Sequence, residues 1–139
     1  MDAYLLDTDI SINFLRGRFN IKEKINEVGI SSCSVSEITI FELTYGAYKS
    51  SNFEKHIEEV DKVSQLFKVL PINNCYSKYA EERVKLEKAG LRIPDFDLLI
   101  GSTAVINNLV LFTNNEAHLS RINGIIIENW MKPVHNKYL

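Results

Sequence analysis

The stretch Ala3-Tyr4-Leu5-Leu6-Asp7-Thr8-Asp9 predicts how the fold begins. Residues 3–6 form a short apolar run, which is typical of a buried strand. Asp7 ends this run, and Thr8 and Asp9 are residue types that favour the start of a helix. The stretch therefore predicts a strand that passes directly into a helix, with an acidic residue at the junction.

The same alternation of strand and helix continues along the chain. Ser36 is expected to cap a helix over 37–49, and Gly90 to end a helix over 74–89. Pro71 indicates that its strand lies at an edge of the sheet or that the strand ends there. Further strands are predicted at 30–35, 68–72, 109–113 and 124–127, and helices at 8–15, 19–27, 37–49, 53–67, 74–89 and 96–108. This order predicts an α/β fold, a parallel sheet of four to five strands flanked by helices on both faces.

The length and composition indicate one globular domain over residues 1–139. Hydrophobic residues make up 45% of the chain and charged residues 24%, which are ordinary values for such a domain. No apolar run approaches the roughly 20 residues that a membrane-spanning helix needs. The residues Met1-Asp2-Ala3-Tyr4 lack the basic start of a secretory signal, so a cytoplasmic location without membrane contact is expected.

The net charge of −2, from 18 acidic and 16 basic residues, argues weakly against nucleic-acid binding. Several of the acids, however, fall where a parallel sheet places its sites. Because such sites form beyond the carboxyl ends of the strands, acids that follow different strands can meet there. If a few carboxylates are assigned to a site, bases outnumber acids on the remaining surface.

The candidate site acids are Asp7 after the first strand, Glu42 in the helix after the second, and Asp97 in the buried helix before the fourth. Clustered carboxylates repel one another and take up protons unless a cation compensates. Mg²⁺ prefers oxygen ligands and keeps several waters, whereas sulfur and imidazole donors do not gather here. The pattern therefore favours a magnesium site over a zinc site.

Taken singly, each acid also has a simpler structural interpretation. Asp7 is a good cap for the first helix, and Asp95 is expected to cap the buried helix. Asp97 falls in the first turn of that helix, where the helix dipole favours a negative charge. Glu42 would be tolerated on an exposed helix face. The combination, rather than any one residue, indicates a site.

Four motifs, in order, resemble those of the PIN domain, and in particular of the VapC-type toxins of toxin–antitoxin systems. The similarity runs nearly from end to end. The matching strings are Leu5-Leu6-Asp7-Thr8-Asp9-Ile10, Ile40-Phe41-Glu42-Leu43-Thr44-Tyr45-Gly46, Pro94-Asp95-Phe96-Asp97-Leu98-Leu99-Ile100 and Leu111-Phe112-Thr113-Asn114-Asn115.

The resemblance implies a Mg²⁺-dependent endoribonuclease, in which Mn²⁺ can substitute and a metal-activated water hydrolyses RNA phosphodiesters. Asp7 and Asp97 would be the principal metal ligands, and Glu42 would bind a metal or orient the attacking water. Thr8 and Asn115 would support the site through hydrogen bonds. The resemblance also implies a homodimer and an antitoxin protein as partner.

The sequence departs from the family pattern in ways that bear on the number of metals. Asp9 stands where Asn is commonest, and a helix cap is expected there rather than a ligand. Asn115 and His118 stand where relatives often carry acids, and Glu116 is a nearby substitute. These departures favour one metal over two.

Two other functions remain open from the sequence: a housekeeping PIN nuclease that acts in RNA maturation, and a non-catalytic binding module that retains the fold. Arg16, Arg18 and Arg92 are candidates for phosphate contacts, with ordinary solvated charges as the alternative. Tyr45 and Tyr48 are candidates for stacking on RNA bases. Their helical spacing with Ile38 and Phe41 favours a core position instead.

Overall fold

Five short strands form one sheet in which every neighbouring pair runs parallel. The computed structural model describes residues 3–131. The strands are β1 (Tyr4–Leu6), β2 (Cys33–Ser36), β3 (Lys68–Leu70), β4 (Val110–Phe112) and β5 (Ile127–Glu128). Their order across the sheet is β3-β2-β1-β4-β5, so the first strand in the sequence lies in the middle. The edge position predicted for the strand before Pro71 is confirmed.

Helices cover both faces of this sheet. They are α1 (Thr8–Leu15), α2 (Ile21–Val28), α3 (Glu37–Lys49), α4 (Phe53–Leu66), α5 (Tyr76–Lys88), α6 (Asp95–Ile106) and α7 (Glu116–Leu119). The predicted α/β class, with a parallel sheet between two helical layers, is confirmed. None of the helices between residues 3 and 131 has the length and apolar character needed to cross a membrane.

The two faces of the sheet contact two separate cores, because successive side chains of a strand point in opposite directions. Leu6 belongs to a core formed with α1, α2, α3 and α4. Leu5 belongs to a second core, formed mainly with α5, α6 and α7. Both leucines are fully buried. The apolar run at 3–6 is therefore explained by burial on both sides of a central strand.

Helix caps at the carboxyl ends of the strands fix where the chain turns back. The Asp7 side chain accepts a hydrogen bond from the Thr8 amide, and the Ser36 hydroxyl accepts one from the Ile38 amide. Gly90 adopts a φ of +69° just after α5, as a helix-ending glycine does. The caps predicted for Ser36 and Gly90 are confirmed. Because Asp7 and Ser36 cap the helices that follow β1 and β2, each of these strands passes into a helix without an intervening loop.

Several element boundaries differ from the prediction. The last strand, expected at 124–127, is Ile127–Glu128, and the helix expected from residue 74 begins at Tyr76. Residues 30–32, expected to begin the second strand, form a 3₁₀ helix, and the strand starts only at Cys33. The helix expected from residue 19 begins at Ile21, because Phe19 and Asn20 adopt left-handed backbone angles that a right-handed helix excludes.

The expected inward face of α3 was wrong. Ile38 is buried as predicted, but Phe41, Tyr45 and Tyr48 are 62%, 67% and 72% exposed. The buried face is made instead by Ile38, Thr39, Leu43 and Ala47, which share the helix with this second apolar stripe. A row of three large aromatic side chains therefore lies on the surface of α3.

Candidate active site

Asp7 lies at the carboxyl end of β1, where its backbone amide donates to the Phe112 carbonyl of β4 over 2.8 Å. Its Oδ1 accepts a 2.8 Å hydrogen bond from the Thr8 amide, and its Oδ2 accepts one of 2.7 Å from the Thr113 hydroxyl. Each carboxylate oxygen has two lone pairs, so capping the helix leaves acceptor capacity on both. The helix-cap interpretation of Asp7 is thus observed, and it is compatible with a role in a site.

Burial is the main reason why the pKa of Asp7 rises to about 6, from its usual 3.8. The hydrogen bonds from Thr113 and Thr8 oppose this rise, and the negative charges of Asp97 and Asp9 add to it. The residue as a whole is only 8% exposed. A buried acid that also faces other acids is an unfavourable arrangement for folding, and such arrangements concentrate at functional sites.

Glu42 comes from the second turn of α3 and meets the start of α1. The Thr8 hydroxyl donates to Glu42 Oε1 over 2.7 Å, and it also lies 3.0 Å from the Thr39 hydroxyl. Burial raises the pKa of Glu42 despite the Thr8 hydrogen bond, and the charges of Asp97 and Asp9 raise it further. Thr8 therefore connects the first two acidic segments.

Asp97 lies in the first turn of α6, and polar side chains after β4 hold it in place. The Asn115 side-chain amide donates to Asp97 Oδ2 over 3.0 Å, and His118 Nδ1 lies 3.3 Å from the same oxygen. The Asn115 backbone amide also donates to the Thr113 hydroxyl over 2.9 Å. Since Thr113 binds Asp7, this short segment links two of the three acids.

The three predicted acids thus come from separate parts of the chain and influence one another electrostatically. The charge of Asp97 acts on both Asp7 and Glu42. Among the described residues, none donates a hydrogen bond to Glu42 Oε2 or to Asp97 Oδ1. These oxygens remain available to a cation, to water or to a substrate.

The donor set fits a hydrated magnesium ion better than a fully enclosed metal. Within residues 3–131, no three His, Cys, Asp or Glu side chains converge closely enough to form a ready-made metal cage. Mg²⁺ binds through one or two carboxylates and retains waters, so it does not require such a cage. The mutual repulsion of Asp7, Glu42 and Asp97 is what a cation would relieve.

Asp95 does not cap α6, contrary to the prediction. Pro94 occupies the cap position without a side-chain hydrogen bond, and Asp95 is the first residue of the helix. Its carboxylate instead accepts a 3.1 Å hydrogen bond from the Tyr79 hydroxyl and lies 3.4 Å from Arg83 and 3.7 Å from Arg92. Asp95 therefore joins α5 to α6, and Arg92 is engaged in that contact.

Asp9 does not cap a helix either, because Asp7 occupies the cap position of α1 and Asp9 lies exposed in the first turn. Its charge nevertheless acts on Asp7 and Glu42. Glu116 accepts a 3.0 Å hydrogen bond from the Asn129 side chain. His118, whose role the sequence left open, contacts the candidate acid Asp97 directly.

Thr113 is the site residue that sequence reasoning missed. It is fully buried, and its hydroxyl both donates to Asp7 and accepts from the Asn115 amide. A hydroxyl at the end of an apolar strand, followed by two asparagines, was the available signal. The contact of His118 with Asp97 was not predicted, although its position three residues after Asn115 was a signal, since side chains three apart share a helix face.

With this geometry in place, comparison with known proteins gives the class of the protein. The family model described as PIN domain matches residues 4–125. The chain therefore belongs to the PIN-domain family.

Within this family, the chain is similar to ribonucleases of the VapC group. The chain is 34% identical to Ribonuclease VapC2 of Rickettsia felis, over 93% of this chain and 98% of that protein. It is 31% identical to the tRNA(fMet)-specific endonuclease VapC of Salmonella typhimurium, over 94% and 99% of the two chains. The toxin–antitoxin complex VapBC of Salmonella typhimurium, solved bound to DNA, contains a chain that superposes with a TM-score of 0.86 at 31% identity, covering 94% and 99%.

Proposed function

We propose that this chain is a metal-dependent endoribonuclease, the toxin of a toxin–antitoxin pair. The observation that carries the proposal is the chain of hydrogen bonds that joins Asp7 to Asp97 through Thr113 and Asn115, while the charge of Asp97 acts on both Asp7 and Glu42. The similarity of the chain to VapC ribonucleases supports RNA as the class of substrate.

Asp7, Glu42 and Asp97 would hold a Mg²⁺ ion, for which Mn²⁺ can substitute. Such an ion, when bound, supplies Lewis-acid activation of the phosphodiester and charge stabilisation of the leaving oxygen. Thr113 and Thr8 orient the Asp7 and Glu42 carboxylates by donating to one oxygen of each. Asn115 orients Asp97 in the same way and leaves its Oδ1 free of hydrogen bonds from the described residues.

We propose that Glu42, besides its part in binding the metal, orients the attacking water and accepts a proton from it. Its Oε1 is occupied by Thr8, and its Oε2 accepts no hydrogen bond from residues 3–131. The raised pKa of this carboxyl makes it a better proton acceptor than an ordinary glutamate. Attack in line with the leaving 3′ oxygen would yield a 5′-phosphate and a 3′-hydroxyl.

The proposal is tested by incubating the purified protein with total RNA in Mg²⁺, Mn²⁺ or EDTA. We expect cleavage with either metal, no cleavage in EDTA, and a loss of at least about 100-fold in Asp97→Asn. Asp95→Asn is the matched control, because it makes the same change two residues away, outside the carboxylate cluster. Equal activity of wild type and Asp97→Asn, or no cleavage with any metal, would contradict the proposal.

The proposed partner is an antitoxin protein, by analogy with the VapBC complexes of similar structure. Such a partner could inhibit the enzyme by covering the surface around Asp7, Glu42 and Asp97 at the carboxyl ends of the strands. Co-purification of a small protein that abolishes RNA cleavage and stays bound through gel filtration would support this assignment.

We also propose a homodimer, formed through the row of Phe41, Tyr45 and Tyr48 on α3. Large exposed aromatic side chains at helical spacing mark a protein interface more often than a solvated surface. A second copy of the chain would present the same row, which is the condition for a two-fold symmetric contact.

A further inference from the structure

Two adjoining cavities beside the carboxylate cluster share one wall. The inner cavity, of about 390 Å³, is lined in part by Glu42. The outer cavity, of about 500 Å³, lies further from that acid. Arg16 of the segment after α1, and His56 and Glu59 of α4, line both. Most of the other residues that line the inner cavity are apolar. Because the three shared residues line both cavities, the two adjoin and form one recess beside Glu42.

The outer part of this recess is positively charged, although the chain as a whole has a net charge of −2. Its lining includes the cations Arg16, Arg18 and Lys55, and its acid is Glu59. Apart from His56, three positively charged side chains and one negatively charged side chain line it. The charge along the recess therefore changes from negative at Glu42 to positive at its outer end.

The shared wall is held by a network of polar contacts. Arg16 Nε lies 3.3 Å from Glu59 Oε2, and Arg16 Nη2 lies 3.4 Å from Glu59 Oε1. His56 Nδ1 is 2.6 Å from Glu59 Oε1. These contacts fix the guanidinium at the junction of the two cavities. Arg16 Nη1 donates to none of the described residues, so the group keeps capacity for a further acceptor.

We infer that this recess is a binding subsite for backbone phosphates of single-stranded RNA next to the bond that is cleaved. Arg16, Arg18 and Lys55 supply the positive charge, and the sequence-independent phosphates are the groups they recognise. The inference rests on the proposed function, since it assumes that RNA is the substrate at Glu42. It adds the path of the RNA substrate, which would leave the carboxylate cluster between α1 and α4.

The test uses a fluorescein-labelled single-stranded RNA of 12 nucleotides and measures its binding by fluorescence anisotropy in EDTA, where no cleavage is expected. We expect Arg18→Gln/Lys55→Gln to bind about tenfold more weakly. The slope of log K against log salt should fall by about 1.4, because each lost single-strand phosphate contact removes about 0.7. The matched control is Lys68→Gln/Lys88→Gln, which removes the same charge from two exposed lysines that line neither cavity.

A second variant changes binding in the opposite direction. Glu59→Gln removes the negative charge of the outer recess while keeping a side chain that can bond to Arg16, and we expect it to bind the RNA severalfold more tightly. If the double variant matches its control in affinity and salt slope while the wild type binds and cleaves RNA, the subsite is wrong and the proposed function stands. If the wild type neither binds nor cleaves RNA, both are wrong.

Discussion

The Thr113 hydroxyl donates a 2.7 Å hydrogen bond to Asp7 Oδ2, across 106 positions of the sequence. This contact is buried. Burial raises the pKa of Asp7, and the hydrogen bond from Thr113 lowers it. Thr113→Val keeps the shape of the side chain but removes the donor, so the pKa of Asp7 should rise further. We expect RNA cleavage at pH 7 to fall about tenfold, as for the loss of one hydrogen bond to a charged group.

Thr113→Ser is the control for this prediction, because it retains the hydroxyl. The serine variant should keep most of the activity, and the acid limb of the pH–rate profile should move upward only in the valine variant. Equal activity of the valine and serine variants at every pH would mean that the hydrogen bond has no role in the reaction.

The raised pKa of Asp7 also predicts how stability depends on pH in the metal-free protein. Its folded pKa of about 6 exceeds the ordinary value of 3.8, so between these values the folded state binds more protons than the unfolded state. Stability is then lost as the pH rises through this window, up to about 3 kcal/mol above pH 6. Asp7→Asn removes the loss and keeps a good helix cap.

We therefore expect Asp7→Asn to raise the melting temperature in EDTA at pH 7.5 by several degrees, and to change it little at pH 4. Circular dichroism melts at the two pH values measure this. Adding Mg²⁺ should raise the melting temperature of the wild type more than that of the variant. A variant that melts below the wild type at pH 7.5 would show that the buried charge is not a source of instability.

Asn115 and His118 approach the same oxygen of Asp97, at 3.0 and 3.3 Å. The shorter contact is that of the Asn115 side-chain amide, and the His118 imidazole also lies 3.2 Å from this amide. The Asn115 backbone amide donates to the Thr113 hydroxyl, and a side-chain substitution leaves that bond intact. We expect Asn115→Ala to lower the cleavage rate about tenfold and His118→Ala about threefold, each losing one hydrogen bond. The double variant should lose less than the product of the two, because the residues share a partner.

The aromatic row on α3 predicts the oligomeric state. Light scattering should give the wild type a mass of twice 15.9 kDa, and Tyr45→Glu/Tyr48→Glu the mass of one chain. Both side chains are exposed in the single chain, so the substitutions should leave its fold intact. Glu58→Gln/Glu81→Gln changes two exposed residues away from the row and should leave the dimer unchanged. A wild-type protein with the mass of one chain would contradict the proposed interface.

The order of strands and helices could be predicted because the apolar runs and the caps are local features. The inward face of α3 could not, because two apolar stripes share the helix and periodicity does not tell which one the core contacts. Thr39 and Ala47 are buried, while the larger Phe41 and Tyr48 are not. Packing against α4 and the sheet decides between the stripes, and that information is tertiary.

In the candidate site too, residues with a local sequence signal could be predicted, and residues whose role depends on tertiary contacts could not. Asp7, Glu42 and Asp97 could be named because they follow strands or begin a helix, where a parallel sheet gathers its ligands. The role of Asp95 could not, because its partners Tyr79 and Arg83 lie on α5, 16 and 12 positions earlier in the chain. Thr113 carries no periodic pattern, and only its buried contact with Asp7 shows its role.

The central position of β1 has a consequence for the time at which activity appears. β1 pairs on one side with β4, so the middle of the sheet is complete only after Val110–Phe112 has been synthesised. Long-range pairing of this kind slows folding. A nascent chain that ends before Thr113 lacks the donor to Asp7 and the support of Asp97. We therefore expect a nascent chain with this topology to lack ribonuclease activity until the segment that follows β4 has left the ribosome.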